Sequence, residues 1–197
     1  FIAVGGAPVS QRLLQRAKEL GLPVYQGYGL SECASVVTLN TASANRIGSV
    51  GRPLPHVRVA IDAGGEVLVE GGGFGGYLGE TEPPAAGGAW RTGDLGYLDD
   101  EGYLYLLGRR RNVFITPMGR NVSPEWVERE LVLEPAIRQA MVVGEGRPCN
   151  LALITPVPGV DAAGVELGIA FVNRPVPYYA RIAHHRVTDE PFSTANG

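Results

Sequence analysis

The stretch Tyr28-Gly-Leu-Ser-Glu32 decides how this chain is read, because three later segments agree with it. They are Trp90-Arg-Thr-Gly-Asp94, Gly108-Arg-Arg-Arg-Asn112 and Gly119-Arg-Asn-Val-Ser-Pro-Glu-Trp-Val-Glu128. The first stretch combines a strand end, a glycine that permits a tight turn, a hydroxyl and a carboxylate. That set suits a phosphate held with a metal ion. Ser31 can donate a hydrogen bond to a phosphate oxygen, and Glu32 offers a hard oxygen ligand for Mg²⁺, which binds few carboxylates alongside phosphate oxygens. Tyr28 can lie against a purine ring. In isolation the same five residues also describe an ordinary strand-to-loop turn with an exposed glutamate.

Upstream, Phe1-Ile-Ala-Val4 reads as a buried strand entered midway, and Gly5-Gly-Ala-Pro8 turns the chain out of it. Ser10 can cap a helix in which Leu13, Leu14, Ala17 and Leu20 recur at helical spacing, with Gly21 as its stop. Val24 and Tyr25 begin a second strand. Strand, helix, strand implies a parallel unit, whose loops after the strand ends are the usual ligand face. From Gly48 to Leu107 the texture changes. Val57, Val59 and Ile61 alternate with other residues, as do Val67 and Val69, around a turn at Ala63-Gly-Gly65. Asp99-Asp-Glu-Gly102 marks a second hairpin. After Gly108 a helix should start at Ser123 as cap and Pro124, with Glu125 and Glu128 near its positive end. Ala140–Val143 and Leu151–Ile154 read as short strands. The last forty or so residues carry weak periodicity.

The expected fold class is therefore α/β plus β: the end of a parallel α/β unit, an antiparallel β-barrel-like region and a small α+β C-terminal domain. The expected boundaries are 1–47 and 48–111 within one domain, and 112–197 for the other. With 45% hydrophobic and 19% charged residues among 197, the chain can bury a sizeable core. Its 28 glycines and 15 prolines point to many turns rather than a helical bundle. A balance of 17 basic against 20 acidic side chains, net −3, gives no general attraction to nucleic acid or anionic membrane. No apolar run is long enough to cross a bilayer. Two cysteines, Cys33 and Cys149, suggest neither a zinc site nor a disulfide framework, so reduced thiols and a cytoplasmic location are expected. His56, His184 and His185 have no metal spacing. The glycine-rich run Glu70–Tyr77 lacks the helix start, Lys and Ser/Thr of a phosphate loop and reads as a β-region turn.

In order, the four segments resemble the second half of the adenylate-forming enzymes: acyl-CoA synthetases, firefly luciferase and peptide-synthetase adenylation domains. Tyr28–Glu32 is similar to that family's Tyr-Gly-x-Thr-Glu motif, with Ser31 standing for the threonine. The resemblance implies that Tyr28 contacts adenine, Ser31 the phosphate and Glu32 the magnesium ion. Gly5–Pro8 looks like the family's upstream loop, so Gly6 and Ala7 are candidates through their main chain. Asp94 of the Thr-Gly-Asp segment would accept hydrogen bonds from both ribose hydroxyls, as a carboxylate can. In isolation it is also a turn residue capping local amides. The resemblance implies that Arg109 reaches the ribose too and that Asn112 stands at a hinge where Asp or Lys is usual. It places Gly119 by the pantetheine channel. The triple Arg109-Arg-Arg111 could instead be a basic patch, which the acidic chain and missing aromatic platform disfavour. The spacing from Gly108 to Gly119 is most like that of long-chain acyl-CoA synthetases.

The implied activity has two steps: ATP and a carboxylic acid, a fatty acid by this subfamily reading, give acyl-AMP, and coenzyme A then takes the acyl group. ATP/AMP, Mg²⁺ and coenzyme A are the implied cofactors. Two parts of the family's machinery are not in this sequence. One is the Ser/Thr/Gly-rich loop ending in Lys that precedes everything seen here. The other is a late Pro-x-x-x-Asn-Gly-Lys lysine, since Pro191–Gly197 stops where it would follow or aligns with a slightly earlier Asn-Gly. The expectation is a fragment that needs an N-terminal part of the same enzyme and is inert alone. A peptide-synthetase adenylation domain loading a carrier protein, or a non-catalytic nucleotide-binding module, are the alternatives.

Overall fold

Strand β1 (Ile2–Val4) and strand β2 (Val24–Tyr28) pair in parallel, with helix α1 (Gln11–Glu19) crossing between them. The computed structural model describes residues 1–74, 78 and 88–193. Ser10 caps α1 by accepting from the Arg12 amide at 3.2 Å. The helix closes with amides of Gly21 and Leu22 on the carbonyls of Lys18 and Ala17, at 3.0 and 2.9 Å, a pairing that satisfies its last carbonyls. Of its apolar residues Leu14 and Ala17 are buried, whereas Leu13 and Leu20 are exposed. The expected four-residue stripe is thus two residues wide.

Short strands β3 (Thr38–Leu39) and β4 (Arg52–Pro53) extend the sheet in the order β1-β2-β3-β4. Strand β1 is an edge, and Ile2 and Ala3 on it are exposed. This corrects the expectation of a buried strand. One helix covers the β1–β2 pair, and among the described residues no second apolar layer lies over Phe1 and Ile2. The antiparallel region is a meander of β5 (Arg58–Ile61), β6 (Glu66–Glu70), β7 (Trp90–Leu98) and β8 (Leu104–Arg109). Both of its predicted tight turns form. Asp62 Oδ1 accepts from Gly64 and Glu66, each at 2.8 Å, and Asp99 Oδ1 accepts from Glu101 and Tyr103 at 3.0 and 2.9 Å. Gly75–Tyr77 of the glycine-rich run lie outside the described residues, as do residues 194–197. Cys33, Val37, Val50, Val57, Val67, Val69 and Leu104 form the buried cluster here.

The chain divides into two units, Phe1–Arg111 and Asn112–Gly197. The second holds the hairpin β9 (Phe114–Ile115) and β10 (Asn121–Val122), helix α2 (Pro124–Leu131), and a sheet ordered β11-β12-β13. Strands β11 (Ile137–Val143) and β12 (Asn150–Pro156) are antiparallel, and helix α3 (Ala162–Asn173) crosses over to the parallel β13 (Ile182–Val187). Ser123 precedes α2 with extended backbone, but its hydroxyl donates to Glu125 Oε2 at 2.8 Å and makes no capping bond, contrary to the sequence reading. Among the described residues no helix is long and apolar enough to cross a membrane.

Candidate active site

Tyr28 closes β2 and points its hydroxyl across the first unit to Asp94, donating to Oδ2 at 2.6 Å. Asp94 lies in β7 directly opposite Arg109 in β8, and Arg109 Nε meets Asp94 Oδ1 at 2.9 Å. Three motif segments thus meet at one buried carboxylate, with Tyr28 reaching it across 66 residues of chain. Burial pushes the Tyr28 hydroxyl's pKa up, and the hydrogen bond to Asp94 pushes it further. Tyr28 therefore stays a neutral donor throughout the physiological range.

Backbone geometry explains why these side chains meet. At Gly29 the chain passes so close to the following loop that a Cβ would sit 1.6 Å from the Ser35 carbonyl oxygen, which only glycine avoids. Ser31–Cys33 then make one turn of 3₁₀ helix, and Ala34 and Ser35 take left-handed angles, φ 54° and 73°. Non-glycine residues in that region are uncommon and cluster at functional sites. Cys33 faces the core, where burial, and then the charge of Glu32, raise its thiol pKa. Across the sheet, Gly93 has φ 73°, and the next amide, of Asp94, donates to Thr92 Oγ1 at 3.1 Å. Thr92 Oγ1 in turn donates to the Val67 carbonyl at 2.8 Å.

A cleft of about 730 Å³ opens here, lined by Leu30, Glu32, Trp90, Thr92 and the arginines 109–111, among others. Glu32 is half-buried in it, while Ser31 is exposed on the same turn. Gly6 and Ala7 are exposed in the loop after β1. That loop runs beside the end of β2, since a Cβ on Gly5 would lie 2.9 Å from the Gly27 oxygen. The first unit therefore joins Tyr28, Asp94 and Arg109 by direct bonds, sets Arg109 and Glu32 on one cleft, and runs the Gly6–Ala7 loop beside the end of β2. Gly119 belongs to the second unit, in the β9–β10 turn, where its amide donates to the Thr116 carbonyl at 2.8 Å.

The donor set fits a nucleotide with its metal. A carboxylate offers about four acceptor positions, the chemistry that hydroxyl donors require. Among the described residues no group of three His, Cys, Asp or Glu could hold a metal. Glu32 alone suits Mg²⁺, which takes one or two carboxylates and completes its shell with water and phosphate.

The sequence reading gave no site role to Glu66, nor to Arg91, Thr92 and Arg110, which stand inside segments that it quoted. Glu66 Oε2 accepts from Arg91 Nη2 at 2.5 Å and Arg110 Nη1 at 2.7 Å, and its Oε1 accepts from the Gly93 amide at 3.1 Å. Its one sequence signal was a carboxylate in the first position after a hairpin glycine, before the alternation of Val67 and Val69 begins.

Residues 1–78 match the family described as AMP-binding enzyme, and residues 112–195 match the AMP-binding enzyme C-terminal domain. The long-chain-fatty-acid–CoA ligase FadD15 of Mycobacterium bovis is 41% identical over 155 residues, covering 77% of this chain and 26% of the ligase. The 2-succinylbenzoate–CoA ligase of Bacillus mycoides is 38% identical over 156 residues, covering 72% and 32%. Among solved structures, the o-succinylbenzoate CoA synthetase MenE of Bacillus subtilis with its acyl-adenylate intermediate superposes with TM-score 0.80 at 31% identity. That match covers 96% of this chain and 42% of MenE. The same enzyme with ATP and magnesium ion gives TM-score 0.78. The chain thus spans roughly a quarter to two fifths of the length of these relatives.

Proposed function

Since this chain belongs to the AMP-binding, adenylate-forming enzyme family, we propose that it is the C-terminal portion of an acid–thiol ligase, an acyl-CoA synthetase. Residues 1–111 are read as the end of the large adenylation domain, with the meander as part of a barrel-like layer. Residues 112–197 are read as the small mobile domain. The observation that carries the reading is the shared carboxylate, Asp94, clasped by Tyr28 and Arg109 at the cleft that Glu32 lines.

In this reading Asp94 and Arg109 hold the ribose, and Tyr28 lies against adenine while its hydroxyl keeps Asp94 aimed. Ser31 donates to the α-phosphate, and Gly6 and Ala7 border the adenine and acyl group through their main chain. Bound ATP with Mg²⁺ would supply the activated phosphoryl group, with Glu32 as the protein's oxygen ligand to the metal. The chain's contribution is position and charge: a half-buried cleft strengthens each of these polar contacts. Gly119 approaches the thiol channel after rotation near Asn112, whose amide donates to Glu125. Coenzyme A is the acceptor and a fatty acid the carboxylate. The Gly108–Gly119 spacing and the identity to FadD15 support the fatty acid.

The test is a paired assay on the intact enzyme: pyrophosphate release with a panel of fatty and aryl acids, then thioester formation with coenzyme A. Acid-dependent pyrophosphate release and a fatty acyl thioester are expected. Turnover confined to aryl acids would overturn the fatty acid assignment, and no acid-dependent release with any acid would overturn the ligase. The 197-residue chain alone should show no turnover above background.

A further inference from the structure

We propose that Glu66 is a positioning residue of the nucleotide site, holding the Gly93–Asp94 turn and the Arg109–Arg110 strand end so that Asp94 and Arg109 meet a ribose diol together. The inference rests on the ribose role assigned to Asp94 above.

The Glu66 side chain is only 5% exposed, yet its three partners come from two other parts of the chain, Arg91 and Gly93 of β7 and Arg110 just after β8. A buried carboxylate is unfavourable unless fully paired, and it is readily replaced by apolar residues where only stability matters. Here the partners sit next to the proposed ligand-binding groups. Gly93, whose amide binds Glu66, immediately precedes Asp94, and Arg110, whose guanidinium binds Glu66, immediately follows Arg109. The Arg110 amide donates to the Gly93 carbonyl at 2.8 Å, and Arg109 Nη1 donates to the Thr92 carbonyl at 3.1 Å. Arg91 Nη2, which donates to Glu66, also donates to Asp62 Oδ2 at 2.6 Å.

Ordinary strand pairing sets Asp94 opposite Arg109 across β7–β8, but the ladders around that pair are interrupted. The β6–β7 register shifts between Glu66 and Leu68, and the β7–β8 register shifts between Leu95 and Gly96. Asp94 lies within the first irregularity, between the paired residues Arg91 and Leu95, and just before the second. Glu66 supplies the cross-strand bonds that the interrupted ladders lack. Burial acts to raise its pKa, but the Gly93 amide and the guanidinium groups of Arg110 and Arg91 outweigh it and hold the carboxyl below its usual range. It is therefore ionised at neutral pH.

The experiment compares AMP with 2′,3′-dideoxy-AMP by calorimetry on the intact enzyme, as wild type, Glu66→Gln and Asp94→Asn, with urea unfolding of each. Wild type should prefer AMP by about tenfold or more, the scale of hydrogen bonds to a charged group. Glu66→Gln should bring that ratio to within about threefold of unity while affinity for the dideoxy nucleotide holds. Arg110→Met, on a side chain 58% exposed, should lower the ratio in the same direction and keeps the test available if Glu66→Gln does not fold. A ratio unchanged in the folded variants, with only the urea midpoint lowered, would make Glu66 purely structural and overturn the proposal. A wild type indifferent to the diol, or Asp94→Asn retaining full preference, would instead overturn the ribose role itself.

Discussion

The two units are held together by different means. Among the described residues the first joins seven buried apolar residues in its cluster and carries a charged corner where Glu66 and Asp94 each bind groups from distant segments. The second, shorter unit joins fourteen buried apolar residues from α2, α3 and all three strands of its sheet, among others. Apolar burial is non-directional and tolerates small displacements, whereas a shared carboxylate fixes its partners' positions. The contrast teaches where binding precision should reside. The charge-clasped corner should respond to mutation in ligand affinity, and the apolar unit in stability.

Leu131→Ala should break the comparison most visibly. Leu131 is fully buried in the second unit, and its truncation should cost about 2–5 kcal/mol in urea unfolding. Nucleotide affinity at the first unit should stay within about twofold, since Leu131 packs in the second unit's cluster, which includes none of the nucleotide-site groups. A loss of AMP affinity equal to the stability loss would erase the distinction between the units.

Gly29→Ala should do the reverse. With 1.6 Å between the new Cβ and the Ser35 oxygen, the loop carrying Ser31 and Glu32 must move. A displacement of that order costs about 100-fold in turnover. Pyrophosphate-release kinetics on the intact enzyme read it directly, and unchanged kinetics would place the loop outside the chemistry.

Tyr28→Phe should have a smaller effect, about 1.5–3 kcal/mol in nucleotide affinity, from the lost bond to a charged acceptor. It also carries a pH signature. The Tyr28 pKa is raised on folding, so its contribution to stability is complete below the ordinary tyrosine value near 10 and is lost as pH rises beyond it. Unfolding midpoints should therefore fall less steeply above about pH 10 in Tyr28→Phe than in wild type. Glu66 behaves oppositely. Its lowered pKa gives a contribution present above the ordinary carboxyl range and lost on acidification, and Glu66→Gln should flatten that acid limb.

The smallest effect belongs to Arg16→Ala. Its pair with Glu19 is exposed on both sides, 65% and 50%, and should be worth no more than about 0.5 kcal/mol by thermal unfolding.

What the sequence made legible follows the same division. Tyr28, Glu32, Asp94 and Arg109 stand in short contiguous motifs, so their types and spacing were readable without a fold. Glu66 and Arg110 were not, because their importance comes from interrupted strand registers that no local pattern encodes. The hairpins at Asp62–Gly65 and Asp99–Gly102 were visible through their turn chemistry. Helix α3 escaped because its apolar residues lie on both faces. Val165, Ile169 and Val172 are buried while Leu167 and Phe171 are exposed, and this blurs the stripe that periodicity detects. Its cap, Asp161, which accepts from the Gly164 amide at 2.9 Å, was the signal available. Ser123 was misjudged for a local reason: Glu125, two residues on, takes its hydroxyl.

The central claim is that Tyr28, Asp94 and Arg109 form the nucleoside grip of an enzyme that makes acyl-adenylates. Titration of the intact enzyme and its Asp94→Asn variant with a non-hydrolysable acyl-AMP analogue, against AMP and ATP, tests it most directly. The wild type should bind the acyl-adenylate analogue most tightly of the three, and Asp94→Asn should lose at least about tenfold on it. Equal affinity for all three ligands, or an analogue bound as well after Asp94→Asn, would contradict it.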